Sequence, residues 1–419
     1  MMFLFTLFLS LPVFAIDLDQ AYDSAIKKNE VVGQSRAQLE QASELIQQYR
    51  GAIYPNIAFE GTHLIQPKLN DPTAAAFYPE RQTTTNLTLT QPLFRGLREF
   101  AAVRRQNHLF ASQQQTRVNQ LMDLYQNVAV SYLDVLALEQ DLRNIEAQQK
   151  IYQTRIRDLQ SRARRGESST TESLTAQSTA AALDAEYQIQ TSKLRAAREN
   201  FSFLTGLSVD VALNEAEGLA TKAPLKPLQD YLSRIDERPD VKALNEQYQA
   251  SEEDLSIAKG AHWPTADLTG NYYLTRPDGY AKELKWDVQF KVRFPLYEGG
   301  ITQSQVRTAA SKKGEANLAL EQARRKSEAE IKSLHESLRM REVQLNSLKL
   351  ASDLAEKNYQ VLLRDSRRGL TRSIDVQLGL TEYRIAKRTY DQARYQARLE
   401  RIRLELASAH LPSVLTKEL

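Results

Sequence analysis

Two kinds of hydrophobic pattern alternate along this chain, and each occurs twice. In four stretches apolar and polar residues alternate with the period of a half-buried β-strand; elsewhere apolar residues recur every three and four positions, the helical spacing. The last strand is the cleanest. Leu284, Trp286, Val288, Phe290, Val292 and Phe294 fall on one face, and Lys285, Asp287, Gln289, Lys291 and Arg293 on the other, over 284–294. The strand before it, 265–275, sets Ala266, Leu268, Gly270, Tyr272 and Leu274 against Thr265, Asp267, Thr269, Asn271 and Tyr273. Two further strands are predicted at 56–65 and 84–94, joined by a loop around Pro67, Pro72 and Pro79.

The helical pattern divides into short, medium and very long segments. Leu18, Tyr22, Ala25 and Ile26 mark a short amphipathic helix, and a second runs from Asn29 to Tyr54-Pro55; the pair recurs at Leu228–Ile235 and from Arg238-Pro239 to Trp263-Pro264. After Gly96, the residues Val118, Leu121, Tyr125, Val128, Tyr132, Val135 and Leu142 follow coiled-coil spacing up to Arg164-Arg165-Gly166. After Gly299, Ile331, Leu334, Leu338, Leu345 and Leu348 do the same up to Arg367-Arg368-Gly369. Gly96 and Gly166 are 70 residues apart, and so are Gly299 and Gly369. At 1.5 Å per residue each segment is about 100 Å of helix, so the two reach one common tip level. The returning helices, 167–205 and 370–411, are shorter; stacked end to end on the helices that precede the strands, they match the long ones. The remainder, 206–238 and 412–419, has linker composition, with Gly218, Pro224 and Pro227, and is predicted to form a belt at the stacking point.

The junction between strand and long helix is itself repeated. Leu89-Thr90-Gln91-Pro92-Leu93-Phe94-Arg95-Gly96 recurs 203 residues later as Val292-Arg293-Phe294-Pro295-Leu296-Tyr297-Glu298-Gly299. Proline can end a strand because it cannot donate to a ladder, and glycine lets the chain turn into the helix. The chain is therefore read as a tandem repeat: an N-terminal segment at 1–15, a first repeat at 16–218, a linker or equatorial segment at 219–238 and a second repeat at 239–419.

Strands of about 10 to 12 residues are long enough to cross a bilayer when tilted. A soluble sheet with one wet face alternates in the same way. Two features favour the membrane. The flanking helices are too polar to cover an apolar sheet face, and aromatics stand at all four junctions, Tyr54, Phe94, Trp263 and Tyr297, as in the girdle of an outer-membrane barrel. Four strands cannot close, and open edges are not tolerated in hydrocarbon. The barrel must be shared between chains; two would supply eight strands and three would supply twelve.

Composition narrows the rest. With 15 Gly and 13 Pro in 419 residues the chain favours long regular elements, and a net charge of +3 gives no reason to invoke nucleic acid. Residues 1–15 are apolar but too short to span a membrane, and Val13-Phe14-Ala15 suits signal-peptide cleavage. No cysteine is present, which excludes disulfides, thiolate metal sites and a lipoprotein anchor. His63, His108, His262, His335 and His410 are scattered without metal-ligand spacing, and no nucleophile elbow, phosphate loop or carboxylate constellation stands out. No enzyme activity, cofactor or metal is predicted. The polar strand face of Lys285, Asp287, Gln289, Lys291 and Arg293 is predicted to line a lumen that admits solutes with little chemical selection. The tips are rich in charge, with Arg162, Arg164, Arg165, Arg364, Arg367, Arg368 and Arg372 against Glu167, Glu172, Asp365 and Asp375.

With two repeats, four strands and two equal hairpins, the chain resembles the TolC-like outer-membrane efflux proteins over essentially its whole mature length. The motifs that carry the resemblance are Tyr54-Pro55 and Trp263-Pro264 before strands, Pro92-Leu93-Phe94 and Pro295-Leu296-Tyr297-Glu298-Gly299-Gly300 after them, and Arg238-Pro239-Asp240. The resemblance implies a mainly α fold with a membrane β-barrel portion: a homotrimer with one 12-stranded barrel in the outer membrane, continued by a 12-helix tunnel through the periplasm. It implies an exit duct of a tripartite efflux or type I secretion system, docked to a periplasmic adaptor and an inner-membrane pump. In the family an acidic residue follows the tip glycine by six positions, which here gives Glu172 after Gly166 and Asp375 after Gly369, both with an entrance role. The family's second acidic position is Leu378 here, and its constriction tyrosine is Ser366. The tip arginines, Arg165, Arg368 and Arg372 among them, are expected to dock the adaptor and to hold the entrance through pairs with Glu172 and Asp375. The rival readings are a periplasmic coiled-coil adaptor, which predicts one hairpin, and a structural coiled coil, which leaves the strands unexplained.

Overall fold

The computed structural model describes residues 15–67, 70, 78, 80–166, 168–214, 224–277 and 282–410. Residues 1–14 of the apolar N-terminal segment, Pro72, Pro79, Glu167, Gly218 and the tail 411–419 lie outside the described residues. In chain order the elements are α1 (Leu18–Lys28), α2 (Glu30–Gly51), β1 (Asn56–Ile65), β2 (Arg81–Phe94), α3 (Arg98–Arg164), α4 (Thr170–Thr205), α5 (Leu228–Leu232), α6 (Pro239–Gly260), β3 (Thr265–Thr275), β4 (Trp286–Arg293), α7 (Ile301–Arg367) and α8 (Ser373–Ala407). The two long helices, α3 and α7, are 67 residues each. β2 begins at Arg81, earlier than its alternation indicates, and β4 is shorter than 284–294, although the Lys285 carbonyl still accepts from the Tyr273 N–H at 2.8 Å. The helices before β1 and β3 stop at Gly51 and Gly260, short of the Tyr54-Pro55 and Trp263-Pro264 pairs, which lie in tight turns.

The chain divides into two compact units, one of Met1–Gln34, Val118–Arg238 and Lys326–Leu419, the other of Ser35–Arg117 and Pro239–Arg325. The second unit holds a four-stranded antiparallel sheet in the order β1-β2-β3-β4. Its register sorts the side chains. Phe59 pairs with Leu87, Leu87 with Tyr272 and Tyr272 with Trp286, which sets one apolar row across all four strands. One residue along, Ala58, Thr88, Asn271 and Asp287 form a row on the opposite face. Below the sheet in the same unit, α3 is tied to α6 by ion pairs from Arg104 to Glu253 and from Arg105 to Asp254, each at 2.7 Å, and by a hydrogen bond between His108 and Glu246 at 2.8 Å. Lys313 of α7 reaches Glu252 of α6 at 2.7 Å.

The first unit is helical and contains three apolar clusters. In the largest, α1 lays Leu18, Tyr22, Ala25 and Ile26 against Leu121, Tyr125, Val128 and Tyr132 of α3, with Phe201 of α4 and Tyr395 and Ile402 of α8. A capping box between Asp17 and Gln20 starts α1. Its buried tyrosines are satisfied: Tyr22 donates to the Leu121 carbonyl at 3.0 Å, and Tyr132 to the Ile16 carbonyl at 3.0 Å and to that of Asn214. A second cluster, with Tyr152, Leu159, Leu183 and Leu380, lies toward the tips. The third packs Tyr231 of α5 on Ile331, Leu338 and Leu404. In this way the linker-like segment after α4 acquires a core of its own.

The strand-to-helix junctions differ in one informative respect. Gly96 and Leu97 both have positive φ, 70° and 59°, as do Gly299 and Gly300, at 62° and 83°. Two successive left-handed residues make the turn, and the first repeat places a leucine where the second has glycine. A Cβ on Gly96 would run into the Gly260 carbonyl and come within 3.1 Å of the Trp263 Cβ, whereas one on Gly299 meets open space. Gly96→Ala should therefore lower stability by more than the about 1–2 kcal/mol of a left-handed alanine alone, and Gly299→Ala by no more than that. The temperature at which the folded species disappears from detergent gels compares the two, and Leu97→Gly should leave that temperature unchanged or raise it.

Candidate functional site

Three features position functional groups: the two faces of the sheet, the aromatic junctions and the tips. On the apolar face Ile57, Phe59, Trp286, Val288, Phe290 and Val292 are each more than half exposed to solvent in the single chain. Among the described residues no layer covers them. The opposite face is a chain of polar contacts in which Asn86 donates to Thr88 at 2.7 Å, Thr88 to Asn271 at 3.0 Å and Asn271 to Asp287 at 2.9 Å. Of the residues expected to line a lumen, Lys285, Asp287, Gln289, Lys291 and Arg293 all lie on this face by their register with β3.

The four junction aromatics stand at one end of the sheet. Phe94 is paired with Ala266 and Thr265 with Arg293, so the end of β2, the start of β3 and the end of β4 are level. Tyr54 and Trp263 lie two residues before β1 and β3, and Tyr297 four residues after β4. Tyr54, Trp263 and Tyr297 are exposed, and Phe94 is half-buried.

At each tip a left-handed glycine turns the chain, Gly166 at φ 76° and Gly369 at φ 77°. The Gly166 N–H donates to the Ala163 carbonyl and that of Gly369 to Ser366. The charges close locally. Arg372 lies 3.2 Å from Asp375 within one turn, with its side chain 82% exposed. Glu172 accepts from the Ser168 hydroxyl at 2.7 Å, and Arg165 donates to Ser161 at 2.7 Å. Arg162 pairs with Asp158 and Arg364 with Asp365. Arg368 caps its turn through its backbone N–H on the Asp365 carbonyl.

Contacts between the two hairpins come from residues that their type alone does not mark. Arg155 of α3 donates to the carbonyl and hydroxyl of Ser373, at 2.6 and 2.9 Å, where α8 begins. Burial lowers its guanidinium pKa from the ordinary value. It borders a cleft of 750 Å³ together with Glu172, Tyr359, Arg367 and Gly369. Higher along the same hairpins, Arg388 of α8 reaches Asp141 of α3 at 3.1 Å and Glu186 of α4 at 2.7 Å. Beside it Asn144 donates to the buried Asp391 at 2.9 Å. These helices place the polar groups at positions facing one another, so the usual rule that helix charges face water misses them.

Four of the five histidines make local contacts: His63 with Thr83, His108 with Glu246, and both His335 and His410 against the ring of Tyr231. Among the described residues no group of three or more His, Cys, Asp or Glu could hold a metal ion, and no helix is long and apolar enough to cross a membrane.

A fold of this kind, with a four-stranded antiparallel sheet and long helical hairpins, is shared by solved outer-membrane proteins. The structure of the outer membrane protein VceC from Vibrio cholerae superposes with a TM-score of 0.80 at 17% identity, over 93% of this chain and 95% of that one. CusC, described in terms of transmembrane channel formation, superposes with a TM-score of 0.82 at 16% identity, over 94% and 93%. Residues 21–207 match the family model described as outer membrane efflux protein. The outer membrane efflux protein BepC of Brucella suis biovar 1 (strain 1330) is 26% identical over 313 residues, which is 73% of this chain and 66%, just under two thirds, of that protein. Residues 21–207, a little under half of the chain, thus carry the sequence pattern of that family, and the chain as a whole shares the fold of these solved proteins.

The tip geometry separates two kinds of charge. Replacing Arg388 leaves Asp141, whose side chain is 7% exposed, without its cation and with the Gln392 amide at 3.2 Å as its remaining side-chain donor, so Arg388→Ala should cost about 1–3 kcal/mol. Arg372→Ala removes only a solvent-exposed pair and should cost less than about 1 kcal/mol. Denaturation midpoints of the two variants measure the difference.

Proposed function

We propose that three copies of this chain assemble into one outer-membrane exit duct that passively conducts solutes received from an inner-membrane pump through a periplasmic adaptor. The observation that carries the reading is the sheet: an uncovered apolar face, a continuous polar face, and two edge strands, β1 and β4, whose outer edges have no partner among the described residues. In hydrocarbon an open edge leaves several kcal/mol of unmet hydrogen bonding per group, so the edges must close on other copies. The apolar face then meets lipid, the polar face lines the lumen, and Tyr54, Phe94, Trp263 and Tyr297 anchor the periplasmic interface.

A second feature supports assembly. α3 is enclosed by its neighbours, with Leu121, Val128, Tyr132 and Val135 buried, whereas α7 leaves Met340, Val343, Leu350 and Leu354 exposed at helical spacing. These residues suit contact with the next copy around a twelve-helix tunnel. The two repeats, 16–218 and 239–419, each contribute one hairpin and two strands, with 219–238 as the equatorial segment. Residues 1–15 are the export signal. At the entrance Gly166 and Gly369 shape the tips, Arg165 and Arg368 present charge to the adaptor, and Glu172, Arg372 and Asp375 form the gate.

Two experiments test this reading. The protein should appear as a heat-modifiable trimer in the outer-membrane fraction. Phe290→Arg, which places a cation against lipid at a cost of about 2–4 kcal/mol per copy near the midplane, should abolish that trimer; recovery of the wild-type protein from the soluble periplasm would end the reading. The double variant Arg372→Ala, Asp375→Ala should raise single-channel conductance in planar bilayers, and an unchanged conductance would remove these residues from the gate.

A further inference from the structure

The polar face of the sheet carries charges of both signs, distributed unevenly. Its carboxylates are Glu60 on β1, Asp267 on β3 and Asp287 on β4. Two of them are neutralised in place. Asp267 lies 3.0 Å from the Arg95 guanidinium, which also lies 3.9 Å from Glu99. Asp287 lies 3.2 Å from Arg276, which is stacked 3.6 Å over the ring of Tyr273. The hydrogen bond from Asn271 holds Asp287 in that position.

Against these, Lys285, Lys291 and Arg293 share the polar face at β4, all exposed, and among the described residues none of the three is joined to a carboxylate. At a rise of about 3.4 Å per residue, Lys291 and Arg293 stand about 7 Å apart along the strand, with Lys285 about 20 Å from Lys291. β4 is an edge strand, so in a closed ring β1 of the next copy lies beside it. The polar face of β1 supplies one carboxylate, Glu60, to three cations. Full pairing of Glu60, and of Glu283 two residues before Lys285, still leaves one of the three cations per chain uncompensated.

We propose that β4 makes the barrel lumen anion-selective, with Lys285, Lys291 and Arg293 of each copy forming three rings of positive charge that favour solutes bearing carboxylate or phosphate groups. The proposal rests on the assignment of the polar sheet face to the lumen. Rings of Lys and Arg set anion preference in pores because the low-dielectric wall concentrates their field in the aqueous path. The Debye length is about 10 Å at 0.1 M salt, so the preference strengthens as salt is lowered.

Zero-current potentials of the purified full-length protein in planar bilayers, under a potassium chloride gradient, test it. Wild type should pass chloride in preference to potassium, more so at low salt. The Lys291→Glu, Arg293→Glu variant should reverse the sign of the potential. The milder Lys291→Gln, Arg293→Gln variant, checked for the same heat-modifiable trimer, should reduce the potential without reversing it. A cation-selective wild type, or potentials unchanged in both variants, overturns the proposal while leaving a conducting duct. Absence of any conductance overturns the duct reading and the inference with it.

Discussion

A peptide group that leaves water must find a hydrogen-bond partner, and β1 and β4 each present one edge that has none among the described residues. The rest of the structure follows from that deficit. The sheet cannot lie in hydrocarbon as four strands, and its exposed apolar face cannot lie in water without covering. One arrangement satisfies both demands at once. In the proposed duct, closure on further copies meets the edges, and lipid meets the apolar face. The helical unit carries the same incompleteness in another form, because α3 is wrapped by α1, α4 and α8 while α7 keeps an apolar stripe uncovered.

Within each unit different forces dominate. The helical unit is held by apolar packing around Tyr22, Val128, Tyr132 and Phe201, all nearly inaccessible to solvent. The phenol groups of Tyr22 and Tyr132 reach backbone carbonyls, so that burial leaves neither hydroxyl stranded. Polar contacts do more of the positioning beside the sheet, where Arg104, Arg105 and His108 follow one face of α3 and meet three acids of α6. Most of these are accessible, and accessible pairs orient helices more than they stabilise them. Arg388 is the exception, because its partner Asp141 is buried and joins two hairpins.

Strands and long helices were legible in the sequence because their faces differ in polarity: the period-two contrast of Trp286 to Arg293 and the three-four spacing from Leu121 to Val135 survive into the structure. Helix ends were less legible. α2 and α6 stop before their aromatic-proline pairs because the last turn unwinds into the strand. The second left-handed residue of the junction was hidden because leucine at position 97 gives no sign of a positive φ. Arg155, Arg388, Asp141 and Asp391 escaped notice for a different reason: a charged residue in a polar helix looks solvated until the neighbouring helix is known. At the tips the sequence showed the charges without their partners, so that Glu172 could not be seen to be held by Ser168.

The equal length of α3 and α7 has a consequence for how such a chain can change. Each long helix runs from a strand end to a tip turn, so a residue inserted in one moves its tip about 1.5 Å further and rotates every later side chain by about 100°. Asp141, which must meet Arg388, and Arg155, which must meet Ser373, would both be turned out of register. A compensating insertion in α7 alone would restore the level of the tips without restoring those partners, which lie on the returning helix α8. Length in this molecule is therefore a quantity shared by four helices. It can drift only in whole heptads, made in both hairpins together.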